Sequence, residues 1–250
     1  MPVAHVIDCN CMVGPTMNPV LGKEFSVEIL EREMDLADVD RAVVYHALAR
    51  EHDPAVGNSA TTKLVGSHFR LLAAWVLLPP HTREMEPPKE LVERMAAGHV
   101  ALARIFPTDH NFSLSEWSCG PLLSALESTR MPLMVDLTQT SCEQVATACT
   151  AHPDLPLILS DVGYRLGRSI YALLSAHPNL RIETSRYQAH RGIESICREF
   201  GASRLLFGSH SPELVCGPMA MTIRYARISK AEKDKILGGN FQALMRGIRR

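Results

Sequence analysis

The segment Phe207-Gly208-Ser209-His210-Ser211-Pro212 carries most of the information about the fold of this chain. It follows the apolar pair Leu205-Leu206, and an apolar run that ends in glycine and polar residues is typical of a buried strand that stops at a polar edge. The segment therefore predicts a strand end at Gly208, with Ser209 and His210 just beyond it. In parallel sheets, binding and catalytic side chains are usually found at such strand ends.

Seven similar runs precede this one along the chain. Most are continuously apolar and do not alternate, as expected for strands that are covered on both faces. Their starts are separated by about 24 to 37 residues, close to the length of one strand-and-helix unit. The predicted strands are Ala4–Asp8, Arg41–His46, Leu71–Leu78, Val100–Ile105, Pro132–Asp136, Pro156–Ser160, Leu180–Thr184 and Arg204–Gly208.

Helix signals occupy the intervals between these strands. Ser113, Thr140 and Ser229 are each followed three residues later by glutamate, which is the spacing of a capping box. Gly238-Gly239 is expected to weaken the last helix. Eight alternating units predict a parallel sheet, and right-handed crossovers allow it to close into a (β/α)8 TIM barrel, one α/β domain over residues 1–250. An open doubly wound sheet is less favoured, because no Gly-rich phosphate loop follows the first strand.

The composition excludes several classes of partner. The net charge of the 250 residues is -1, so the chain has no long-range attraction for nucleic acid or an anionic membrane. No stretch approaches the roughly 20 apolar residues of a membrane span. The first residues lack the pattern of a secretory signal. Seven cysteines without a framework spacing favour reduced thiols, and we therefore expect a cytoplasmic protein whose partner is a small-molecule substrate or ligand.

Four segments resemble the amidohydrolase-related (amidohydrolase 2, decarboxylase-like) metal-dependent hydrolases. The resemblance implies a TIM barrel that hydrolyses C–N or C–O bonds, or decarboxylates, a small carbonyl or carboxylate compound. It also implies that a homodimer can form, although the sequence shows no exposed apolar stripe that indicates one. The segments are residues 6–14, 132–136, 152–163 and 200–212, and residues 236–241 are similar to the family's closing helix.

The family's metal-binding positions hold unexpected residues in this chain. The resemblance implies a His-x-His pair at Asn10 and Met12, histidines at Asp136 and Asp161, and an aspartate at His210. Zinc sites favour imidazole nitrogen and thiolate ligands, and a thioether is a poor ligand for a hard cation. We therefore expect the family's usual zinc-bound water to be missing.

Asp136, Asp161 and His210 are the candidate catalytic residues, because each follows a predicted strand at the same end of the barrel. They are also the only metal-ligand candidates, and with Asn10 they could form an oxygen-rich site for a manganese- or magnesium-like ion. Without a metal, two close carboxylates would raise one pKa, and His210 would shuttle a proton. The third interpretation is a hydrogen-bonded cluster of polar side chains that has no catalytic function. A divalent metal is compatible with these residues but is not favoured.

Further polar residues are expected at the same end of the barrel. Arg104 lies inside an apolar strand and needs an anionic partner, which either Asp136 or a substrate carboxylate can supply. Glu183 lies at the end of the seventh predicted strand, next to Thr184, and Arg165 is a candidate partner for it. A catalytically inactive barrel that binds a small ligand or a protein partner is the alternative to an enzyme. The predicted substrate-binding residues are Asn10, Arg104, His110, Arg165, Glu183 and Tyr187.

The two faces of the first predicted strand are expected to have different surroundings. Because side chains alternate along a strand, Asp8, Asn10 and Met12 are expected to face the barrel interior. Cys9 and Cys11 are then expected to pack against the helices, which argues against a Cys-x-Cys metal site.

Overall fold

The computed structural model describes residues 6–17 and 26–250, and a sheet of eight parallel strands organises them. The order of the strands in the sheet follows their order in the sequence. The last strand returns to the first, where Cys9 N donates to Phe207 O at 3.0 Å and Met12 N donates to Ser211 O at 2.8 Å. The sheet thus forms a nearly closed barrel, and the predicted (β/α)8 TIM fold is confirmed. The strands are β1 (Ile7–Val13), β2 (Arg41–His46), β3 (Leu71–Val76), β4 (Leu102–Ile105), β5 (Leu133–Asp136), β6 (Leu157–Ser160), β7 (Leu180–Glu183) and β8 (Leu205–Leu206).

Helices connect the strands and cover the outside of the barrel. Short 3-10 turns precede several of them, and a π-helical turn at Lys235–Gly239 joins the last two. The α-helices are α1 (Val27–Leu36), α2 (Ala47–Glu51), α3 (Pro54–Ser67), α4 (Pro88–Ala97), α5 (Glu116–Thr129), α6 (Cys142–Ala151), α7 (Gly167–Ala176), α8 (Gly192–Phe200), α9 (Cys216–Arg224), α10 (Lys230–Asp234) and α11 (Asn240–Gly247).

The helix signals have mixed outcomes. Ser229 and Glu232 form the predicted capping box at the start of α10. The side chain that caps α6 is Ser141 and not Thr140, because Ser141 Oγ accepts from Gln144 N. Gly238-Gly239 lies in the π-helical turn, and the chain continues into α11 without a break. None of the helices in the described ranges is both long and apolar enough to cross a bilayer.

β1 differs most from its prediction. It runs from Ile7 to Val13, so the predicted end at Asp8 is wrong, and residues 4 and 5 of the prediction lie outside the described residues. The register with β2 advances by three residues on β1 and by two on β2 between the pairs Asp8↔Ala42 and Cys11↔Val44. The extra residue is a β-bulge, which changes the faces on which the following side chains lie.

The bulge changes which side chains of β1 face the interior. Cys9 and Met12 both pack in the cluster that fills the barrel, together with Tyr45 and Phe106. Cys11 belongs to the second cluster, between the sheet and the helices. The expected alternation is therefore wrong for Cys9, because a strict period of two does not pass through a bulge.

Candidate functional site

The carboxyl-terminal ends of the strands form the barrel mouth, where a buried arginine joins three strands. Arg104, on β4, donates from Nη1 to Asn10 Oδ1 on β1, and from Nη2 to Asp136 Oδ1 on β5 at 2.6 Å. Its guanidinium carbon lies 4.8 Å from the ring centre of Tyr45 and 5.0 Å from that of Phe106. The side chain is only 2% exposed, so this cation is held inside the protein by a carboxylate, an amide and two aromatic faces.

Asp136 is the anion that balances this arginine. Burial alone would raise its pKa, but the charge of Arg104 and a hydrogen bond from Ser160 Oγ outweigh burial, and the pKa is lowered. The predicted structural Arg104–Asp136 pair is therefore present. Such a pair keeps Asp136 ionised, which suits it to hold a charge in place and not to donate a proton.

Glu183, at the end of β7, is the second buried carboxylate of the mouth. It accepts from Asn10 Nδ2 at 3.0 Å, and from Ser185 N and Ser185 Oγ at 2.6 and 2.8 Å. Burial raises its pKa and exceeds the opposing effect of His210 and these hydrogen bonds. Gly208 leaves room for the carboxylate, since a Cβ atom there would lie 2.5 Å from Glu183 Oε1.

His210 follows β8 with a left-handed backbone conformation, φ 59°, and contacts both Asn10 and Glu213. Its Nδ1 lies 3.3 Å from Asn10 Nδ2, and its Nε2 lies 3.6 Å from Glu213 Oε1. Because Asn10 Oδ1 accepts from Arg104, the Asn10 amide must present N–H groups to His210. His210 Nδ1 is therefore the acceptor, and the neutral ring carries its proton on Nε2, facing Glu213.

A rim of charged side chains lies outside these buried groups. Arg186 Nη2 donates to Glu213 Oε2 at 2.9 Å, and Arg186 Nε lies 3.4 Å from Asp161 Oδ1. Asp161 also accepts from Thr138 Oγ1 at 2.9 Å. The hydrogen bond from His210, followed by the charges of His210 and Arg186, lowers the pKa of Glu213 to about 2 against the opposing effect of burial. The rim is thus a chain of alternating acidic and basic side chains from Asp161 to His210.

The mouth brings together five of the predicted site residues, although their roles stay predictions. Asp161 is separate from Asp136, because one carboxylate contacts Arg186 and the other contacts Arg104. The five residues that the mouth unites are Asn10, Arg104, Asp136, Glu183 and His210.

Two predicted substrate-binding residues lie elsewhere. The expected pairing of Glu183 with Arg165 is wrong, since Arg165 is exposed and its Nε contacts Tyr164 Oη at 3.2 Å. Tyr187 is buried in the outer cluster, where burial and Tyr171 raise its pKa to about 12. Loop polarity in the sequence does not reveal whether a side chain turns towards the mouth or towards the outer helices.

His110 occupies an intermediate position in the wall of the mouth. Its Nε2 contacts Arg50 O at 2.8 Å, and its ring packs edge-on against Phe106, which lies beneath the Arg104 guanidinium. The neighbouring Asp109 accepts from Arg50 Nε at 2.7 Å. This loop ties β4 to α2, and Thr108 and Asp109 also bind the buried Gln139, which follows β5.

Sequence reasoning missed three residues of the site. Ser160 ends β6 as Asp136 ends β5, so the same rule about strand ends could have found it. Glu213 lies three residues after His210, and Arg186 lies three residues after Glu183, but both are in loops without a regular pattern. Only their contacts with each other identify them.

The donors at the mouth fit a divalent metal ion poorly. Asn10 Oδ1 and Asp136 Oδ1, the oxygen ligands that such an ion would need, both accept from Arg104. Met12 packs in the apolar cluster inside the barrel. Within residues 6–17 and 26–250, no group of three or more His, Cys, Asp and Glu side chains could hold a metal ion.

Comparisons with known proteins agree with this architecture. Three solved structures each align with 97% of this chain, and the first is an uncharacterised TIM-barrel protein from Bordetella bronchiseptica, with a TM-score of 0.77, 16% sequence identity and 99% of its own chain aligned. The 2,6-dihydroxybenzoate decarboxylase from Rhizobium has a TM-score of 0.74 and 15% identity, with 98% of its chain aligned. The dihydroxybenzoic acid decarboxylase from Polaromonas sp. JS666, with bound manganese, has a TM-score of 0.75 and 14% identity, with 97% of its chain aligned. At such identities the likeness shows the fold alone. No curated protein matches the chain. The family model described as Amidohydrolase matches residues 14–245, and the chain therefore belongs to the amidohydrolase family.

Proposed function

We propose that this chain is an amidohydrolase-like enzyme that hydrolyses or decarboxylates a small carbonyl or carboxylate compound without a metal. The observation that carries the proposal is the placement of His210. Its ring is held between Asn10 and Glu213, and its side chain remains 11% exposed at the mouth, whereas Asp136 and Glu183 are buried beneath it. A neutral imidazole whose Nε2–H is held in a fixed tautomer at a strand end is suited to stabilise developing negative charge on a substrate by hydrogen bonding.

A network of hydrogen bonds supports this role for His210. Arg104 orients the Asn10 amide, the amide directs a donor to His210 Nδ1, and Glu213 contacts the Nε2 edge. Arg104 and Asn10 lie on β4 and β1, whereas His210 and Glu213 both lie in the loop after β8. His210 Nε2–H is thus the donor that would hydrogen-bond to the atom of a reacting group on which negative charge develops.

The positive charge that the family obtains from a metal would come from Arg104 in this chain. The guanidinium contacts two of the positions at which the resemblance implies metal ligands, Asn10 and Asp136. A divalent ion at the same place would meet the repulsion of this cation and would have to compete for both oxygen atoms. Arg104 itself is too deeply buried to touch a substrate, so we assign it to charge balance and to the orientation of Asn10.

Membership of the amidohydrolase family supports the reaction class, and the decarboxylases of similar fold suggest the substrate class. The Rhizobium and Polaromonas enzymes are described as acting on dihydroxybenzoates. We therefore propose small aromatic carboxylates as the first compounds to test.

A barrel that binds a ligand without turnover is the second candidate. The observation that favours it is that the buried carboxylates of the mouth, Asp136 and Glu183, already accept hydrogen bonds from several protein groups. Such a network can exist for stability alone.

The test is a panel of dihydroxybenzoates and of aryl amides and esters, with carbon dioxide release and product formation measured after treatment with a chelator. We expect turnover by the wild type, a loss of about 100-fold or more in kcat for His210→Ala, and no change for the exposed His190→Ala. Full activity of His210→Ala would contradict this role of the Nε2–H donor. Ligand-dependent stabilisation without turnover of any compound would favour the second candidate.

A further inference from the structure

The carboxylate of Glu213 lies at the barrel mouth between two donors that belong to other parts of the site. Arg186 Nη2 donates to Glu213 Oε2 at 2.9 Å, and His210 Nε2 lies 3.6 Å from Glu213 Oε1. One oxygen of the carboxylate therefore accepts from a guanidinium, and the other faces the Nε2 edge of an imidazole. This combination of donors is a common arrangement for binding an oxyanion.

Asp161 holds the arginine of this arrangement in position. Its Oδ1 lies 3.4 Å from Arg186 Nε, and Thr138 Oγ1 donates to its Oδ2 at 2.9 Å. Asp161 contacts Nε, whereas Glu213 contacts Nη2, so the two acids engage different atoms of one guanidinium. If Glu213 moved away, Arg186 would still have Asp161 as an ion-pair partner.

Glu213 itself is placed so that it can leave. It lies in the loop between β8 and α9, and its side chain is 35% exposed, as is 38% of the Arg186 side chain. Ion pairs at such exposure exchange readily with water and with competing anions. The His210 side chain, by contrast, is 11% exposed and stays bound to Asn10.

We propose that Glu213 occupies the binding site of a ligand carboxylate, and that Arg186 Nη2 and His210 Nε2 bind that carboxylate when the Glu213 side chain swings into solvent. Glu213 is thus an internal competitor that closes the empty site. Identifying the ligand as the substrate rests on the proposed function; the anion site does not. A substrate bound in this way would place the carbon that bears its carboxylate beside the proton on His210 Nε2.

The test measures the binding of benzoate, with benzamide as the uncharged control, by titration calorimetry. Glu213→Ala is expected to bind benzoate at least about 10-fold more tightly than the wild type does, since the internal competitor is gone. The double variant Glu213→Ala/Arg186→Met is expected to lose this gain. Glu199→Ala, which breaks an exposed arginine–glutamate pair on α8, is the matched control and should bind as the wild type does.

Unchanged benzoate affinity in Glu213→Ala would overturn the inference, and so would a gain that survives Arg186→Met. Should the double variant fail to fold, the nitrogen resonances of His210 in Glu213→Ala provide the second readout. A shift of the Nε2 signal on addition of benzoate supports the site, and an unshifted signal overturns it. Since neither measurement needs turnover, benzoate binding without catalysis would refute only the proposed function.

Discussion

Arg104 shows how a single residue changes the character of this site. A buried guanidinium requires an anion, and Asp136 supplies it at 2.6 Å with almost no exposure of either side chain. Breaking a buried pair costs more than replacing both partners, because the remaining charge is left without compensation. The same pair keeps the pKa of Asp136 low despite burial, so removing Arg104 should change the pH dependence of stability as well.

Arg104→Met is expected to lower the free energy of unfolding by about 3–5 kcal/mol at neutral pH, as measured by urea denaturation. The double variant Arg104→Met/Asp136→Leu should recover a large part of this loss, because an apolar pair of similar volume often substitutes for a buried ion pair. A double variant that is as unstable as the single one would contradict this account of the pair.

The pH dependence of this variant follows from the sign of the pKa shift. In the wild type the pKa of Asp136 is below its ordinary value of 3.8, so its stabilisation is present above that pH and is lost as the pH falls. Without Arg104, burial raises this pKa, and Asp136 destabilises the fold above pH 3.8. The difference in the free energy of unfolding between the wild type and Arg104→Met should therefore become smaller as the pH is lowered from neutral to about pH 4.

At the level of elements, the ends of β7 and β8 show why glycine is needed at one position of the segment Phe207–Pro212. The Glu183 carboxylate lies against the backbone of Gly208, where a Cβ atom would come within 2.5 Å of an oxygen. Glu183 is buried and bound by Ser185 and Asn10, so it has little freedom to move away. A side chain at position 208 would therefore push on the centre of the site.

Gly208→Ala is expected to destabilise the protein by about 1–3 kcal/mol because of this overpacking. Gly66→Ala is the matched control, since Gly66 lies in α3 and a Cβ atom there would meet nothing within 4 Å. That control should gain about 0.5–1 kcal/mol from better helix propensity. Thermal unfolding measures the stability of both variants. If Gly208→Ala were as stable as the wild type, Glu183 would not be held tightly.

For the whole molecule, the barrel has its own means of closure and of charge balance. Backbone hydrogen bonds from Cys9 and Met12 to the segment after β8 join the last strand to the first. The buried charge at the mouth is balanced by protein groups, Arg104 against Asp136. The stability of the fold should therefore not depend on a bound cation.

Prolonged treatment with a chelator is expected to leave the thermal unfolding midpoint unchanged, to within about 2 °C, because a ligand stabilises a fold only if it binds the folded state. Added manganese should likewise leave the midpoint where it is. If chelation lowered the unfolding midpoint by many degrees and manganese restored it, the proposal of a metal-free site would be contradicted.

The sequence by itself determined the barrel and the contents of its mouth. Continuous apolar runs at regular intervals require covered parallel strands, and residues that follow such strands must meet at one end of the sheet. For this reason the sequence alone predicts that Asn10, Arg104, Asp136, Glu183 and His210 lie together. The positions of Arg104, Asp136, Glu183 and His210 follow from the period of the chain and the direction of the strands, whereas the position of Asn10 also depends on the bulge in β1.

Only the tertiary structure decided the rest. The β1 bulge put Cys9 inside the barrel, and no local pattern signals an extra residue in a strand. Loop direction turned Tyr187 outwards and brought Arg186 to Glu213, although all three share the polarity of ordinary loops. Which of two neighbouring loop residues reaches a site depends on packing between distant segments, and that packing is not encoded in the spacing along the chain.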